Sequence, residues 1–525
     1  MNKTVLCIID GLGINSGEFG NSVKAAEMIN LENAIANFPS TQINASGLEV
    51  GLADAKDPGN SEVGHNAIGS GQHIKQGLAL LNERFESGEI FETETWKALV
   101  ANAQKSKLNI FQLLSDGRLH SDIYAHLFPM IKQCAKEKVK LAIHGFVDGR
   151  DVATQSAMRY ITDIREYIKK CGADAKIATV AGRSVLVMDR YETDTRLLTN
   201  TVEVCVRGKA PVVTDIESAI NDEYKKRPDM TDETMPAFIL EPDWLLKNGD
   251  SVLLLNYRGD RAVEICNMFE CGKYLDKSQY SEIKKCVFAG VLQYDAELEL
   301  PKTYLCPPPS IKNGLSEWLC KHGVKQYSVT ETVKYGHLTY FFNGNRAAPF
   351  DTKLETWKEY KSDVCANMYN SAPDMQAMKI CDDVCKAIEG DYDFIKLNFP
   401  NPDMVGHTGD FDATVKACKT VDLALGKIIE HCKHYKASLI ITADHGNAEY
   451  MKYDDGKPRS SHTNSLVPFV VLPFGMCEKK CGADHACHKI KIKKGKWGLT
   501  NIAATVCELL GVLTSPSFNP SIIEK

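Results

Sequence analysis

The feature that most constrains this 525-residue chain is a recurrence of short apolar runs, each followed by a stretch of helical periodicity. Residues 4–9 read as a buried strand ending at Asp10-Gly11. Further strands are expected at Ile110–Leu114, Leu141–Val147, Ile177–Val180, Val252–Asn256 and Val287–Leu292, with helices between them such as Ala125–Lys138 and Ala157–Lys170. A second series is expected at Tyr327–Thr330, Thr339–Phe342, Phe394–Phe399, Leu439–Thr442 and Val467–Leu472, with residues 357–389 read as helices bearing an acidic, solvated face. Strands that alternate with helices argue for a parallel or mostly parallel sheet covered on both faces. The fold class is therefore α/β, and the length allows two or more domains. Between the two series lies Cys306-Pro307-Pro308-Pro309, a stiff, extended run that cannot enter a sheet and reads as a linker.

Charge and composition narrow the function. The net charge is −6 and the pI is near 6.2, which argues against a nucleic-acid or membrane-surface role. No apolar run approaches the roughly 18 residues of a membrane span. The segment Met1–Asp10 reads as a buried strand rather than a signal peptide. A cytoplasmic location and a monomer with a small-molecule partner are expected. The cysteines, such as Cys7, Cys134, Cys205, Cys266, Cys365, Cys418 and Cys507, are mostly scattered singly through apolar segments and read as reduced thiols. The cluster Cys477, Cys481, Cys487 with His485 and His488 has a spacing that fits no standard zinc finger, and it reads as an exposed hairpin.

Chemistry concentrates in the loops. In Pro58-Gly59-Asn60-Ser61-Glu62-Val63-Gly64-His65 the density of Gly and Pro marks a sharply bent segment. A serine held out there suits a nucleophile; the plainer alternative is a cap at the start of the next helix, with Asn60 before it. Asp10 sits at the carboxyl end of a buried strand, where ligands bind in open α/β sheets. The glycines that follow it, Gly11, Gly13 and Gly17, are spaced one residue too widely for a dinucleotide fingerprint. Asp403/His407 and Asp444/His445 each follow an apolar strand, and His462 lies in a further loop. Carboxylates and imidazoles without thiolate are the ligand types of a dinuclear site, better suited to Mn²⁺ or Zn²⁺ than to Mg²⁺ or Ca²⁺. Two such ions about 3.5–4 Å apart clamp the attacking and leaving oxygens of phosphoryl transfer and acidify a bound serine hydroxyl.

A second constellation follows the first series of strands. Arg150, Arg183, Arg190, Arg258 and Arg261 stand at strand ends with His120 and a free aspartate, Asp151. Planar guanidinium forks match carboxylate and phosphate oxygens. The alternative is a set of surface arginines paired with Asp148, Asp189 and Asp260.

Asp10-Gly11, Gly59–His65, Asn401–Gly409, Thr442–Glu449 and His462-Thr463 together resemble the metal-binding motifs of the cofactor-independent phosphoglycerate mutases, within the alkaline phosphatase superfamily. The match continues through Ser115–Ser121, Asp148–Asp151, Met188–Arg190, Arg258–Arg261 and Lys334–His337, in order over nearly the whole chain. The resemblance implies an alkaline-phosphatase-like three-layer α/β/α domain, discontinuous over 1–76 and 307–525, with a second α/β substrate-binding domain, 77–306, inserted. It implies that Ser61 is the phosphorylated nucleophile, with one metal on Asp403, His407 and His462 and another on Asp10, Ser61, Asp444 and His445. Substrate contacts would be His120, Arg150, Asp151, Arg183, Arg190, Arg258, Arg261 and Lys334.

The activity implied is interconversion of 3-phosphoglycerate and 2-phosphoglycerate in glycolysis, with Asp151 as acid/base and Lys334 and the arginines stabilising the transferred charge. The cofactors implied are two divalent ions, Mn²⁺ first and Zn²⁺, Co²⁺ or Mg²⁺ as alternatives, without 2,3-bisphosphoglycerate. A phosphatase or sulfatase of the same superfamily would need the metal ligands but not the arginine set, and a phosphopentose mutase would need fewer arginines. A non-catalytic, metal-stabilised protein would not need Ser61. The chain departs from the commonest bacterial pattern at Val333, where a glutamate is usual, at Arg118-Leu119, which replaces Gly-Val, and in an Arg183–Arg190 gap longer by one residue.

Overall fold

The computed structural model describes residues 2–118, 120–188, 194–294, 299–307, 309, 311–363, 366–476 and 490–524, apart from the side chains of residues 260, 366 and 367. Arg190 and the Cys477–His488 cluster lie outside the described residues. The chain divides into two compact units, Met1–Ala79 with Pro309–Lys525, and Leu80–Pro308. The second crossing falls in the proline run.

The first unit is built on a seven-stranded sheet in the order Glu355–Tyr360, Gln326–Glu331, Phe394–Phe399, Thr4–Ile9, Ser438–Thr442, Val467–Leu472, Ser40–Ile43. The first five strands run parallel, and Val467–Leu472 is antiparallel to both of its neighbours. Every residue of Thr4–Ile9, Phe394–Phe399 and Ser438–Thr442 is buried. Strands covered on both faces need apolar residues on both, which is why they read as continuous runs. Helices Ala377–Glu389 and Phe411–Tyr435 form one covering set, and Ser61–Ser70 with Ile502–Leu510 another. In Ala377–Glu389 the buried Ile380, Cys381, Val384 and Ile388 recur at three- and four-residue spacing, which puts them on one face. Each fully buried Ile or Val there stabilises the fold by about 1.5–3 kcal/mol.

The second unit repeats the logic. Its sheet runs Phe238–Ile239, Ala175–Gly182, Leu141–Val147, Leu108–Leu114, Ser251–Leu254, Val287–Leu292, Tyr304–Cys306. All neighbours are parallel except Phe238–Ile239, a two-residue antiparallel edge. Among the described residues no helix is long and apolar enough to cross a membrane, and the described cysteines are free thiols, most of them buried.

Two expected elements are corrected. Thr339–Phe342 is not a strand: His337–Phe341 is a π-helical turn continuing the helix Thr332–Gly336. Its Thr and aromatic residues mimic strand composition, but Leu338 and Phe342, four apart, are both buried in the core on one helical face. The start of the 357–389 segment is not helical either, because Glu355–Tyr360 is a strand at the sheet edge. There Thr356 and Lys358 are exposed and Glu355 and Trp357 turn inward, an alternation that suits a half-covered edge.

Lys396 interrupts the strand Phe394–Phe399 and is wholly buried. Its Nζ lies 3.7 Å from the Phe342 ring centroid, 3.3 Å from Ser316 Oγ and 3.4 Å from Asn343 Oδ1. Burial pushes the ammonium down to about 7, and nearby Glu355 offsets only part of that. An unfolded lysine titrates near pH 10.4, so between pH 7 and about 10.4 the unfolded chain binds more protons and stability rises with pH. Below pH 7 the cost is fully present. We expect Lys396→Met, similar in volume and uncharged, to raise stability at pH 7 by about 2–3 kcal/mol after the loss of two weak hydrogen bonds. The gain should fade as pH approaches 10. Urea unfolding at pH 7 and pH 9.5 checks this; an equal gain at both, or a loss at pH 7, would contradict it.

Candidate functional site

The carboxyl ends of four adjacent parallel strands in the first unit each contribute to one site. Asp10 follows Thr4–Ile9, and Lys334 lies in Thr332–Gly336 after Gln326–Glu331. Asp403 lies in the helix Asn401–Gly406 after Phe394–Phe399, while Asp444 and His445 follow Ser438–Thr442. Ser61 is the first residue of the helix Ser61–Ser70; Asn60 is its cap, accepting from Val63 N at 2.9 Å. The bent segment and the helix start are therefore the same feature, with Ser61 at the positive end of the helix.

Ser61 Oγ lies 2.9 Å from His445 Nε2 and 3.2 Å from Asp10 Oδ1, and it accepts from Lys334 Nζ at 2.5 Å. The same Nζ is 2.9 Å from Asp10 Oδ1 and 2.8 Å from Asp403 Oδ2. His445 Nε2 stands 3.4 Å from both Asp10 Oδ1 and Asp444 Oδ2. His407 Nε2 and His462 Nε2 each lie 3.3 Å from Asp403 Oδ1 and 3.0 Å from each other. Asp10, Asp444 and His445 are fully buried, whereas the His407 side chain is 38% exposed, so the second group faces solvent.

The charges follow from this geometry. Burial and the nearby Asp444 carboxylate raise Asp10 to about 6. Burial also opposes ionisation of Asp403 and Asp444, but Lys334 and the neighbouring imidazoles outweigh it and hold both below the ordinary carboxylate range. Burial alone would discharge Lys334, yet Asp10, Asp403 and Asp444 keep its ammonium charged above the usual lysine range.

The donor set fits divalent cations. His407 Nδ1 faces Ser460 O at 2.7 Å and His462 Nδ1 faces Gly59 O at 2.9 Å. Carbonyl oxygens only accept, so each Nδ1 carries a proton and each Nε2 is turned towards Asp403 and the other ring. Two imidazole nitrogens 3.0 Å apart, with a carboxylate oxygen beside both, form a donor set that suits a shared cation. Deeper in, Asp10, His65 and Asp444 converge, with His65 Nδ1 3.3 Å from the buried Asp444 Oδ2.

The structure thus brings together Asp10, Ser61, Lys334, Asp403, His407, Asp444, His445 and His462. In the second unit, Ser115 donates to Asp148 at 2.7 Å, and the buried Arg183 guanidinium bridges Asp148 Oδ1 and Asp151 Oδ2, both at 2.6 Å. Asp151 is therefore not the free aspartate expected: its partner comes from another strand end, which spacing along the chain does not reveal. Arg183 is a buried arginine in an ion pair rather than a surface one. Arg150 lies 3.4 Å from Glu233. His120 is buried, with its carbonyl accepting from Tyr257 N beside Arg258, and Arg261 donates to Met188 O.

Sequence reasoning gave no role to His65, Asn398, Asn447 or Glu449. His65 Nδ1 is 3.3 Å from Asp444 Oδ2 and 2.9 Å from Ser61 O, and its place four residues after Ser61 was the available signal. Asn398, a polar residue inside an apolar strand, donates to Asp10 Oδ2 at 2.7 Å and lies 3.0 Å from His65 Nε2. Asn447 donates to Asp403 Oδ1 at 2.8 Å.

The family model of the metalloenzyme superfamily matches residues 2–514. The chain is 36% identical to a probable 2,3-bisphosphoglycerate-independent phosphoglycerate mutase of Leptospira interrogans, over 99% of this chain and 97% of the relative. It is 34% identical to the 2,3-bisphosphoglycerate-independent phosphoglycerate mutase of Trypanosoma brucei, with the same coverage. Among solved structures, Leishmania mexicana phosphoglycerate mutase, crystallised at low cobalt concentration, is similar with a TM-score of 0.67 and 34% identity, over 100% of this chain and 98% of that one.

Removing one member of a buried charge network costs about 3–5 kcal/mol because its partners are left uncompensated. We expect Lys334→Met to destabilise the metal-stripped protein by that order, and an excess of divalent cation to restore most of the loss. Thermal melts with and without cation check this; an unchanged metal-free midpoint would contradict it.

Proposed function

The chain belongs to the 2,3-bisphosphoglycerate-independent phosphoglycerate mutases of the metalloenzyme superfamily, and from that premise we propose that its phosphoryl transfer runs through Ser61. The enzyme interconverts 3-phosphoglycerate and 2-phosphoglycerate. The observation that carries the route is Ser61 Oγ at a helix start, bonded to the Lys334 ammonium among three carboxylates and three imidazoles.

Asp403, His407 and His462 would hold one divalent cation, and Asp10, Ser61, Asp444 and His445 a second. Bound there, such cations, Mn²⁺ before Zn²⁺, Co²⁺ or Mg²⁺, neutralise phosphoryl oxygens and make the serine hydroxyl acidic at neutral pH. The cobalt named for the Leishmania mexicana relative supports a divalent ion. Lys334 donates to Ser61 Oγ and so favours its oxyanion. Attack by Oγ forms a phosphorus–oxygen bond to Ser61 as the bond to the substrate oxygen breaks. The phosphoserine dianion gains from the positive end of the helix that Ser61 begins.

The departing glycerate oxygen takes a proton from Asp151. The other glycerate hydroxyl then returns a proton to Asp151 and attacks the phosphoserine, releasing Ser61. Arg183, held against Asp151 at 2.6 Å, would fix that carboxyl in place. His120, Arg150, Arg190, Arg258 and Arg261 would bind the substrate carboxylate and phosphate. No 2,3-bisphosphoglycerate is needed, because the donor is the substrate itself.

We expect Ser61→Ala to abolish turnover while the fold and metal content stay nearly intact, by coupled assay and elemental analysis. A variant keeping a tenth of wild-type turnover would sink the nucleophile. Chelation should remove wild-type activity and Mn²⁺ restore it; full activity in metal-stripped protein would count against the cations.

The route also requires glycerate to stay bound between the two transfers. Labelled 3-phosphoglycerate incubated with unlabelled glycerate should pass all its label to 2-phosphoglycerate. Dilution of label into the pool, or accumulation of free phosphate, would point to a hydrolase-like release.

A further inference from the structure

Glu449 is fully buried and plays no part in the chemistry described above. Its carboxylate lies where three ligand-bearing loops meet. Oε2 accepts from Gly13 N at 3.1 Å, on the loop that begins at Asp10, and from Asn447 N at 2.9 Å, on the loop of Asp444 and His445. Oε1 accepts from the hydroxyl of Thr463, the residue after His462. The Asn447 side chain reaches onward to Asp403 Oδ1, the oxygen shared by His407 and His462. One carboxylate is thus bonded to all three loops and is one residue removed from Asp403.

The surroundings are built closely around it. A Cβ at Gly13 would fall on the Glu449 carboxyl group, and one at Gly446 would fall on Thr463 Oγ1 and Glu449 Oε1. Glycine at both positions lets two backbones approach the carboxylate closely. Asn15 also donates to the Glu449 carbonyl at 3.1 Å, tying the first loop a second time.

We infer that Glu449 is a positioning residue that sets Asp10, Asp444, His445 and His462 in register for binding both cations, an inference that rests on the metal site proposed above. Loops hold function but are the most mobile part of a fold. Partners one step behind the ligands typically carry a 10–100-fold effect on metal affinity. A shared carboxylate makes the loops move together, so both cations depend on it.

The chemistry gives a conservative control. In Glu449→Gln the amide oxygen can take both backbone N–H bonds while the NH₂ donates to Thr463 Oγ1, so all three links survive. Glu449→Ala removes all three, and Thr463→Val removes only the link next to His462.

The test is calorimetric titration of Mn²⁺ into metal-stripped, full-length wild type, Glu449→Gln, Glu449→Ala and Thr463→Val. Circular dichroism verifies folding, and metal-free melting midpoints are measured in parallel. Glu449→Ala should bind Mn²⁺ 10–100-fold more weakly, and Glu449→Gln should keep wild-type affinity. Thr463→Val should weaken one of two binding events, which decides the matter even if Glu449→Ala does not fold. A folded Glu449→Ala with a lower melting midpoint but unchanged Mn²⁺ affinity, or Thr463→Val with both events unchanged, would overturn the inference. So would a Glu449→Gln that loses as much affinity as Glu449→Ala. A wild type that binds no Mn²⁺ would instead overturn the metal reading on which it rests.

Discussion

Three carboxylates, Asp10, Asp403 and Asp444, are buried around one lysine, and the rest of the site depends on how that charge is balanced. Taking ionised groups out of water is costly unless an opposite charge stands within bonding distance. Lys334 meets that need for Asp10 and Asp403 at 2.9 and 2.8 Å, and His65 and His445 stand by Asp444 at 3.3 and 3.4 Å. The residual strain shows at Asp10, the one carboxyl of the three pushed upward, to about 6. A cluster that one ammonium only partly neutralises is poised to take up further cations.

That cluster exists because of the sheet. Four parallel neighbours place their carboxyl ends side by side, so residues far apart in sequence arrive at one edge. The strands are buried on both faces and packed between helices, which fixes their ends within a rigid frame. The loops beyond those ends then need their own restraints, and polar side chains supply them: Asn398 on Asp10, Asn447 on Asp403 and Glu449 across three loops. These hydrogen bonds stand directly behind the candidate ligands, the place from which a side chain orients a site.

How much of this was legible in the sequence follows from the same division. Strands such as Leu141–Val147 and Phe394–Phe399 were read to the residue because double-sided burial leaves a mostly apolar run, broken by His144 in the first and by Lys396 and Asn398 in the second. The candidate ligand aspartates Asp10, Asp403 and Asp444 were legible because each lies in the loop or first turn just past such a run. Thr339–Phe342 misled because β-branched and aromatic residues serve a buried helix face as well as a strand. Asp151 misled because an ion pair with Arg183 is a tertiary fact, set by two strand ends meeting. Lys396, Asn398 and Glu449 stood in a strand or motif that was read, but nothing local gave them a role. Nothing in a polar residue's neighbours along the chain says that it is fully buried, or which backbone N–H it will accept from.

The charge balance also orders events at the site. Three carboxylates, Asp10, Asp403 and Asp444, against the one Lys334 ammonium leave these four groups together two charges negative. A phosphoglycerate brings a carboxylate and a phosphate, and the whole chain is itself at −6. At the separations of this site, like charges cost about 4 kcal/mol per pair even at an effective dielectric constant of 20. Such a substrate meets net repulsion unless positive charge precedes it. In the second unit, two arginines of the candidate set are held by carboxylates. Arg183 between Asp148 and Asp151 is fixed in geometry but has its charge largely spent on those two partners. Arg150 is half exposed and leans on Glu233 at 3.4 Å, so its fork remains the easier to redirect toward an incoming anion. Arginines in the same set therefore differ in kind: a buried one fixed between two carboxylates and an exposed one resting on a single, longer pair.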